Sequence, residues 1–365
     1  MNTVKEFDEL LKGCRPHKDA NGNILIQSIM NMQLVTLTTD DEYSLDNKFE
    51  NPLKVLTTSN NNYGEMSFSN NSRKDTITPP QIAVLTKQSA QNHGMVKAGY
   101  VPANKNIRFD DAGCVQGSQT GYFRGSQEFR MIPVTMREML FEKIGETDGY
   151  QNIYPAIRKL GKDTNSNTGD YIDKYFSKYD KKLEQFIAHF ERPEKLIGVI
   201  VLIDGEIVAI DKYPSFTYAE QVWDLLIRDC YGSLAVISEL KNKSSNELFT
   251  ETLSKTKVKA NESTIDRLER ALKKTKKKIT KSVEEKVQDL LDLTFEATID
   301  NTGNSSVNSP KSYVMKNEGY IGQLITESNY HHMVSIVKKE AFDPSLLRIV
   351  NQFKNKARSQ NRFSL

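Results

Sequence analysis

The sequence predicts an α+β protein: a β-rich N-terminal half, an α/β-type C-terminal half and a long basic amphipathic helical extension. Three observations carry this prediction. Short apolar runs broken by turn residues dominate the first third, as in "NILIQSIMNMQLVTLT" (23–38). The run "LIGVIVLIDGEIVAID" (196–211) has two β-rich halves joined by Asp204-Gly205, a preferred type I′ hairpin turn. Three- and four-residue spacing of apolar positions then marks helices over 168–191 and 263–295.

Along the chain, residues 1–134 read as a mainly β region carrying polar loops, and 135–240 as a helix–hairpin–helix region. Residues 241–300 read as the basic extension and 301–365 as a linker and C-terminal segment. Residues 1–12 fit a short amphipathic helix through Val4, Phe7, Leu10 and Leu11. Residues 39–80, rich in Asn, Ser and Thr, fit a long surface excursion or a set of short edge strands. Strands are expected over 79–86 and 96–109, with Pro102 and Asn104 at a turn.

The stretch "DDAGCVQGSQTGYFRGSQEFR" (110–130) is too rich in Gly, Gln and Ser for regular structure. Thr135 with Glu138, and Thr217 with Glu220, have capping-box spacing and open helices over 135–144 and after Pro214. Tyr171, Tyr175, Tyr179, Leu183, Phe186 and Phe190 form one helical stripe, which predicts core packing rather than base stacking; Trp223 reads as a packing anchor. In 263–295, Ser263 and Asp266 stand at the start, and Ile265, Leu268, Leu272, Ile279, Val283, Val287 and Leu290 keep one face apolar. Residues 300–312 are linker-like, and the segment after Tyr320 fits a strand or short helix followed by a terminal helix.

Composition excludes several classes. With 38% hydrophobic and 27% charged residues, the chain reads as a soluble globular protein. No apolar run approaches the roughly twenty residues that span a bilayer. The N-terminus has acidic residues and lacks the apolar core of a secretory signal, so a cytoplasmic protein is expected. Cys14, Cys114 and Cys230 form no CxxC pair, which argues for reduced thiols and against a disulfide framework or structural zinc.

A net charge of +3 does not mark a nucleic-acid binder. Residues 255–286 carry a local +7, which leaves the remainder at −4. The lysine run 273–278 therefore reads as a solvated helix face, and the 263–295 helix as a homo-oligomer contact, rather than a nucleic-acid or membrane surface. No Walker loop, Rossmann fingerprint, HExxH, GxSxG or kinase set is present, which counts against the common enzymes built on them.

The candidate site consists of two polar clusters, 87–93 and 110–130, separated by one strand-like run and expected to converge at one end of a sheet. Gln88, Gln91, Asn92, Gln116 and Gln119 offer amides suited to ribose hydroxyls or base edges. Tyr122 and Phe123 can stack on a purine. Arg124 and Arg130, with His93, can meet phosphates. Within the cluster, Cys114 with His93 forms a candidate nucleophile and base, oriented by Asp110 or Asp111. No metal site is expected: Asp110 and Asp111 are adjacent and would face apart in a strand, as would His331 and His332, which read as partly exposed.

An ordered set of motifs adds to this reading. It comprises Gln91-Asn92-His93, Val101-Pro102, Cys114-Val115-Gln116, Gly121-Tyr122-Phe123, and Arg130 with Pro133 and Arg137. Asn165-Ser166-Asn167-Thr168-Gly169, the span Gly198 to Gly205, and Trp223 follow. Over roughly residues 80–240 this order resembles the ARG-and-rhodanese-phosphatase-superfamily-associated protein domain family; 241–365 fall outside the resemblance. Gln116 stands where an acid is common, and His93 where Arg is common. The family's association with ADP-ribosylglycohydrolase and phosphatase-like proteins implies a role near ADP-ribose or NAD-derived nucleotides. It also implies a β-rich first half and an α/β second half. The leading expectation is binding of a small anionic nucleotide, for sensing or sequestration in a prokaryotic or phage stress or conflict pathway. The alternatives are an enzyme using Cys114/His93 or Asp110/Asp111, and an oligomeric scaffold built on the basic helix.

Overall fold

The computed structural model describes residues 3–29, 32–40, 49–59, 64–86, 92–117, 127–144, 146, 149–203, 205–237, 239–240, 281–300, 310–327 and 330–339. From the N-terminus, β1 (Thr3–Glu6), α1 (Phe7–Leu10), β2 (Cys14–Pro16), β3 (Ile26–Ile29) and β4 (Met32–Thr39) are followed by α2 (Pro52–Val55) and β5 (Leu56–Ser59). Short strands come next: β6 (Met66–Asn70), β7 (Thr76–Ile77), β8 (Ile82–Thr86), β9 (His93–Met95), β10 (Tyr100–Val101), β11 (Asn106–Phe109), β12 (Ala112–Cys114) and β13 (Gln127–Met131). Helices α3 (Arg137–Phe141), α4 (Ile153–Asp163) and α5 (Asp173–Ile187) precede the hairpin β14 (Leu196–Ile203) and β15 (Glu206–Lys212). Then α6 (Phe216–Leu225) runs into a π-helical turn, Leu226–Tyr231. The last elements are α7 (Val283–Leu291), β16 (Thr294–Ile299), β17 (Lys311–Lys316), β18 (Tyr320–Glu327) and β19 (Tyr330–Lys338).

The largest sheet has the antiparallel order β1-β16-β17-β18-β19-β15-β14-β4-β2, with β3 beside the first half of β4. It draws strands from the two ends of the chain and from its middle. Laid flat, that path would hold β1 and β2 about 38 Å apart at ~4.8 Å per strand. Glu6 and Cys14 are joined by a connection that reaches at most about 29 Å when fully extended, and α1 shortens it further. The sheet must therefore curl until its ends approach.

One face of the sheet packs Val35, Leu37, Ile200, Ile210, Leu324 and Ile336 against Phe7, Leu10 and Leu11 around α1, and against Val287 and Leu290 of α7. The other face packs Val199, Val201 and Ala209 against Trp223, Leu226, Cys230 and Tyr231. Burial on both faces explains why β14 is a continuous apolar run rather than an alternating one.

The smaller sheets are β12-β9-β8-β13, β11-β6-β5 and β10-β7. Met66, Phe68, Ile82, Val84, Met95 and Ala112 fill the space on one side of the four-stranded sheet. Ala83, Val115 and Ile132 meet Leu140, Ile157, Leu160 and Phe176 on the other.

The α+β class and the 196–211 hairpin hold, with Gly205 at φ 77°, and so do the paired strands of 23–38. The helix of the tyrosine stripe runs from Asp173 to Ile187, with Tyr175, Phe176, Leu183 and Phe186 buried. Several expectations need correction. Residues 3–6 are a strand, and α1 is a single turn, because pairing with β16 satisfies more backbone than a lone short helix would. The stretch 110–130 contains β12 and most of β13, and the small residues of β12 suit tight packing. Gly113 shows why: a Cβ there would lie 2.6 Å from Ile153.

Neither predicted threonine cap forms. Thr135 sits in a 3₁₀ turn ahead of α3, and Ser215 rather than Thr217 caps α6 by accepting from the Tyr218 amide. Ser282 and Glu285 make the capping box of α7, which ends at Leu291, so the helix expected to reach residue 295 gives way to β16. The part of that helix over 263–280, with the lysine run, lies outside the described residues. Over 320–338 the C-terminal segment is the hairpin β18–β19, so the expected strand forms but a second strand stands where a helix was expected, and residues 340–365 lie outside the described residues.

His331 and His332 are both buried rather than partly exposed. Burial, with Lys212 and Lys5 adding to it, lowers the His331 pKa to about 4 from an ordinary 6.5. Its neutral form thus stabilises the fold above the unfolded value, and this contribution is lost as pH falls from about 6.5 toward 4. The shift corresponds to at most about 3 kcal/mol, and partial solvent screening reduces that to about 1–2 kcal/mol. Urea unfolding at pH 7 and pH 4.5 should show this loss in the wild type and a flatter pH response in His331→Gln. An equal response in both would refute the assignment.

Candidate functional site

The two polar clusters are rooted at one edge of the four-stranded sheet. Strand β8 ends at Thr86, β9 begins at His93, β12 ends at Cys114 and β13 begins at Gln127; all four ends lie on that edge through the pairings β13–β8, β8–β9 and β9–β12. The roots are tied together: the Val115 amide donates to the Asn92 carbonyl at 3.0 Å. The end of β5 approaches the same edge, since the Thr58 hydroxyl donates to Gln127 Oε1 at 2.7 Å. Behind the rim, the Tyr154 hydroxyl donates to the Gln116 carbonyl at 3.0 Å and the Ile172 amide to the Val115 carbonyl at 3.0 Å. These bonds hold the root of the second cluster against α4 and the start of α5. Gln88, Gln91, Gln119, Tyr122, Phe123 and Arg124 lie outside the described residues.

Cys114 and His93 face each other across the β9–β12 ladder. The Val115–Asn92 bond just beyond them makes theirs a non-hydrogen-bonded pair, the kind in which side chains stand closest, with Cβ atoms about 4.5–5.5 Å apart. Both are buried, at 2% and 0% exposure, so neither presents an open surface to a reacting molecule.

Asp111 is engaged elsewhere. Its carboxylate lies 3.0 Å from the Lys97 ammonium, which also lies 2.6 Å from Asp300, and all three side chains are almost fully buried. Burial raises the Asp111 pKa, and Lys97 opposes that rise. This triad ties the start of β12 to the end of β16. Asp110 points into solvent, 3.1 Å from Arg108. The adjacent aspartates therefore face apart, and among the described residues no group of three or more His, Cys, Asp or Glu is placed to hold a metal.

Arg130 is at the rim in sequence but turned inward. Its guanidinium bonds Asp229 at 3.0 Å, Asp180 at 2.7 Å and Glu128 at 3.1 Å, and lies 4.2 Å from the centre of the Phe176 ring. Seven residues on, Arg137 is fully buried: one guanidinium nitrogen contacts both Asp211 carboxylate oxygens at 2.8 Å and Ser335 Oγ at 3.1 Å, and the other contacts Cys230 Sγ at 2.9 Å. The Tyr231 hydroxyl donates to the same Asp211. The Arg–Pro–Arg motif thus clamps the β13–α3 junction to the π-helical turn and to the large sheet. Burial pushes the Cys230 thiol up to about 12 despite Arg137, so it is a protonated packing group.

Sequence reasoning missed Lys97, Asp211 and Asp229. Each is a charge inside an apolar run ("GMVKAGY", "VAIDKY", "LLIRDCY"), and that was the available signal.

Among the described residues no helix is long and apolar enough to cross a membrane. No curated protein and no solved structure matches the chain. The family model described as the ARG and Rhodanese-Phosphatase-superfamily-associated Protein domain matches residues 26–307. The match is wider than the motif resemblance: it takes in β3 and β4 at one end, and α7, β16 and the basic segment at the other. By that match, over about three quarters of its length, the chain belongs to the ARG and Rhodanese-Phosphatase-superfamily-associated Protein domain family.

Proposed function

We propose that the rim of the four-stranded sheet binds a small anionic nucleotide, an ADP-ribose or NAD-derived molecule. The binding serves sensing or sequestration in a cytoplasmic stress or conflict pathway of prokaryotes or phages. The observation that carries this reading is the hydrogen bond between Val115 and Asn92, which brings the roots of both amide- and aromatic-rich segments to one edge. Membership of a family whose name associates it with ARG and rhodanese-phosphatase-superfamily proteins supports the choice of ligand, with ARG read as ADP-ribosylglycohydrolase. Arg124 supplies charge to the phosphates, and Tyr122 a stacking face.

Calorimetric titration with ADP-ribose, NAD and cyclic nucleotides should show saturable binding of at least one, recovered unchanged by mass spectrometry. Arg124→Ala should weaken it about tenfold or more, as expected for a lost charge-assisted bond. Failure of every ligand to bind ends the proposal. The narrow Cys114–His93 pair favours a second reading, an enzyme acting on the same ligand. In that case the nucleotide returns altered, and Cys114→Ser abolishes the change.

A further inference from the structure

The curl of the large sheet leaves a cavity of about 480 Å³ where residues 7–13 cross from one end of the sheet to the other. It is lined by Glu9, Lys12 and Gly13 of the crossover, Arg15 of β2, Asp40 beyond β4, Lys212 at the end of β15, and Tyr330 and His331 at the start of β19. None of these residues belongs to the rim of the four-stranded sheet. The volume is within the usual range for small-molecule sites, and the mouth of a curled sheet is a common place for one.

Cations outnumber acids in this lining. Lys12, Arg15 and Lys212 face Glu9 and Asp40, and Asp40 is itself shared by two cations: Arg15, and Lys195 at 3.1 Å. Lys212 is 4% exposed. Its ammonium donates to the His331 carbonyl and lies 5.4 Å from the centre of the Tyr330 ring, which fixes a positive charge at the cavity wall. Arg15 and Lys12 are outer groups that can reorient toward a ligand.

The histidine contributes a defined acceptor. The Thr326 hydroxyl donates its single proton to the Tyr330 carbonyl at 2.7 Å. Its contact with His331 Nδ1 at 3.0 Å must then be donated by the imidazole. The proton sits on Nδ1, and Nε2 keeps its lone pair. His331 stays neutral down to about pH 4, so this tautomer persists at neutral pH.

We propose that this cavity binds a small hydroxyl-bearing phosphate, such as a sugar phosphate, with the phosphate oxygens on Lys212, Arg15 and Lys12 and a ligand hydroxyl donated to His331 Nε2. An arginine fork with two ammonium groups satisfies several phosphate oxygens at once. The neutral imidazole distinguishes a sugar phosphate, which has hydroxyl donors, from inorganic phosphate alone.

Calorimetry on the full chain with ribose 5-phosphate and with inorganic phosphate tests this. Both should bind, the sugar phosphate more tightly. The exposed double variant Lys12→Glu/Arg15→Glu should weaken both about tenfold or more while leaving the unfolding midpoint unchanged. Conversely, His331→Gln should narrow the preference for the sugar phosphate, and Arg124→Ala in the 118–126 segment should leave both affinities unaltered. Absence of heat with either probe at millimolar concentration would overturn the proposal. So would equal affinity in the Lys12/Arg15 double variant, which would put the phosphate elsewhere.

Discussion

Arg137→Met is expected to lower the stability of this protein by about 3–5 kcal/mol, enough to threaten folding at physiological temperature. The side chain is fully buried, and its guanidinium is held by Asp211, Ser335 and Cys230 at once. Burial works against its charge, but Asp211 together with Cys230, Tyr231 and Tyr213 outweighs that and raises the Arg137 pKa further above its already high value, so the residue is always ionised. Methionine fills much of the volume but leaves the Asp211 carboxylate in the core with the Tyr231 hydroxyl as its chief remaining donor. The loss comes from that stranded charge more than from any lost attraction.

The cycle with Asp211→Asn makes the claim testable. Adding the amide to Arg137→Met should recover a substantial part of the loss, because the buried charge is then gone. Urea denaturation of the two single variants and the double variant gives the coupling. If the double variant is as unstable as the sum of the singles, Arg137 and Asp211 do not act as a unit.

The second large effect is expected at two glycines that flank the same network. Asp211 and Ser335 are direct partners in the β15–β19 ladder. On the outer side of β15, a Cβ on Gly198 would lie 2.2 Å from the Asp211 carbonyl oxygen. On the outer side of β19, a Cβ on Gly322 would lie 2.2 Å from the Ser335 carbonyl oxygen. Both obstacles are backbone atoms in the middle of a sheet, so neither can swing aside. Gly198→Ala and Gly322→Ala should each cost about 3 kcal/mol, at the upper end of overpacking penalties. Gly22→Ala provides contrast: nothing lies within 4 Å there, and its cost comes from its φ of +83° alone. Denaturation midpoints of the three variants check the order, and a Gly198 or Gly322 variant as stable as Gly22→Ala would refute the close approach.

Several elements were legible because they are local. The β14–β15 hairpin followed from Asp204-Gly205 between β-rich runs, and the tyrosine stripe of α5 from spacing alone. The misplaced caps show the limit of local signals. Thr217 and Ser215 both suit an N-cap, and the geometry after Pro214 selected the serine. At the rim, sequence anticipated that 87–93 and 110–130 would share an end of a sheet, but not that Asp111 and Arg130 would turn inward to buried partners. A carboxylate beside a cysteine reads the same in sequence whether it faces the thiol or a lysine fourteen positions back.

The sequence by itself determined the β14–β15 hairpin, the helices α5 and α6, the α+β class and the motifs of the family. Tertiary structure decided that strands from both ends of the chain join the central hairpin in one curled sheet. It also decided which buried charges meet, and that a basic cavity opens where the sheet's ends approach. The physical reason is that hydrophobic periodicity and turn chemistry act over a few residues, whereas strand partners and ion pairs depend on which distant surfaces can be buried together.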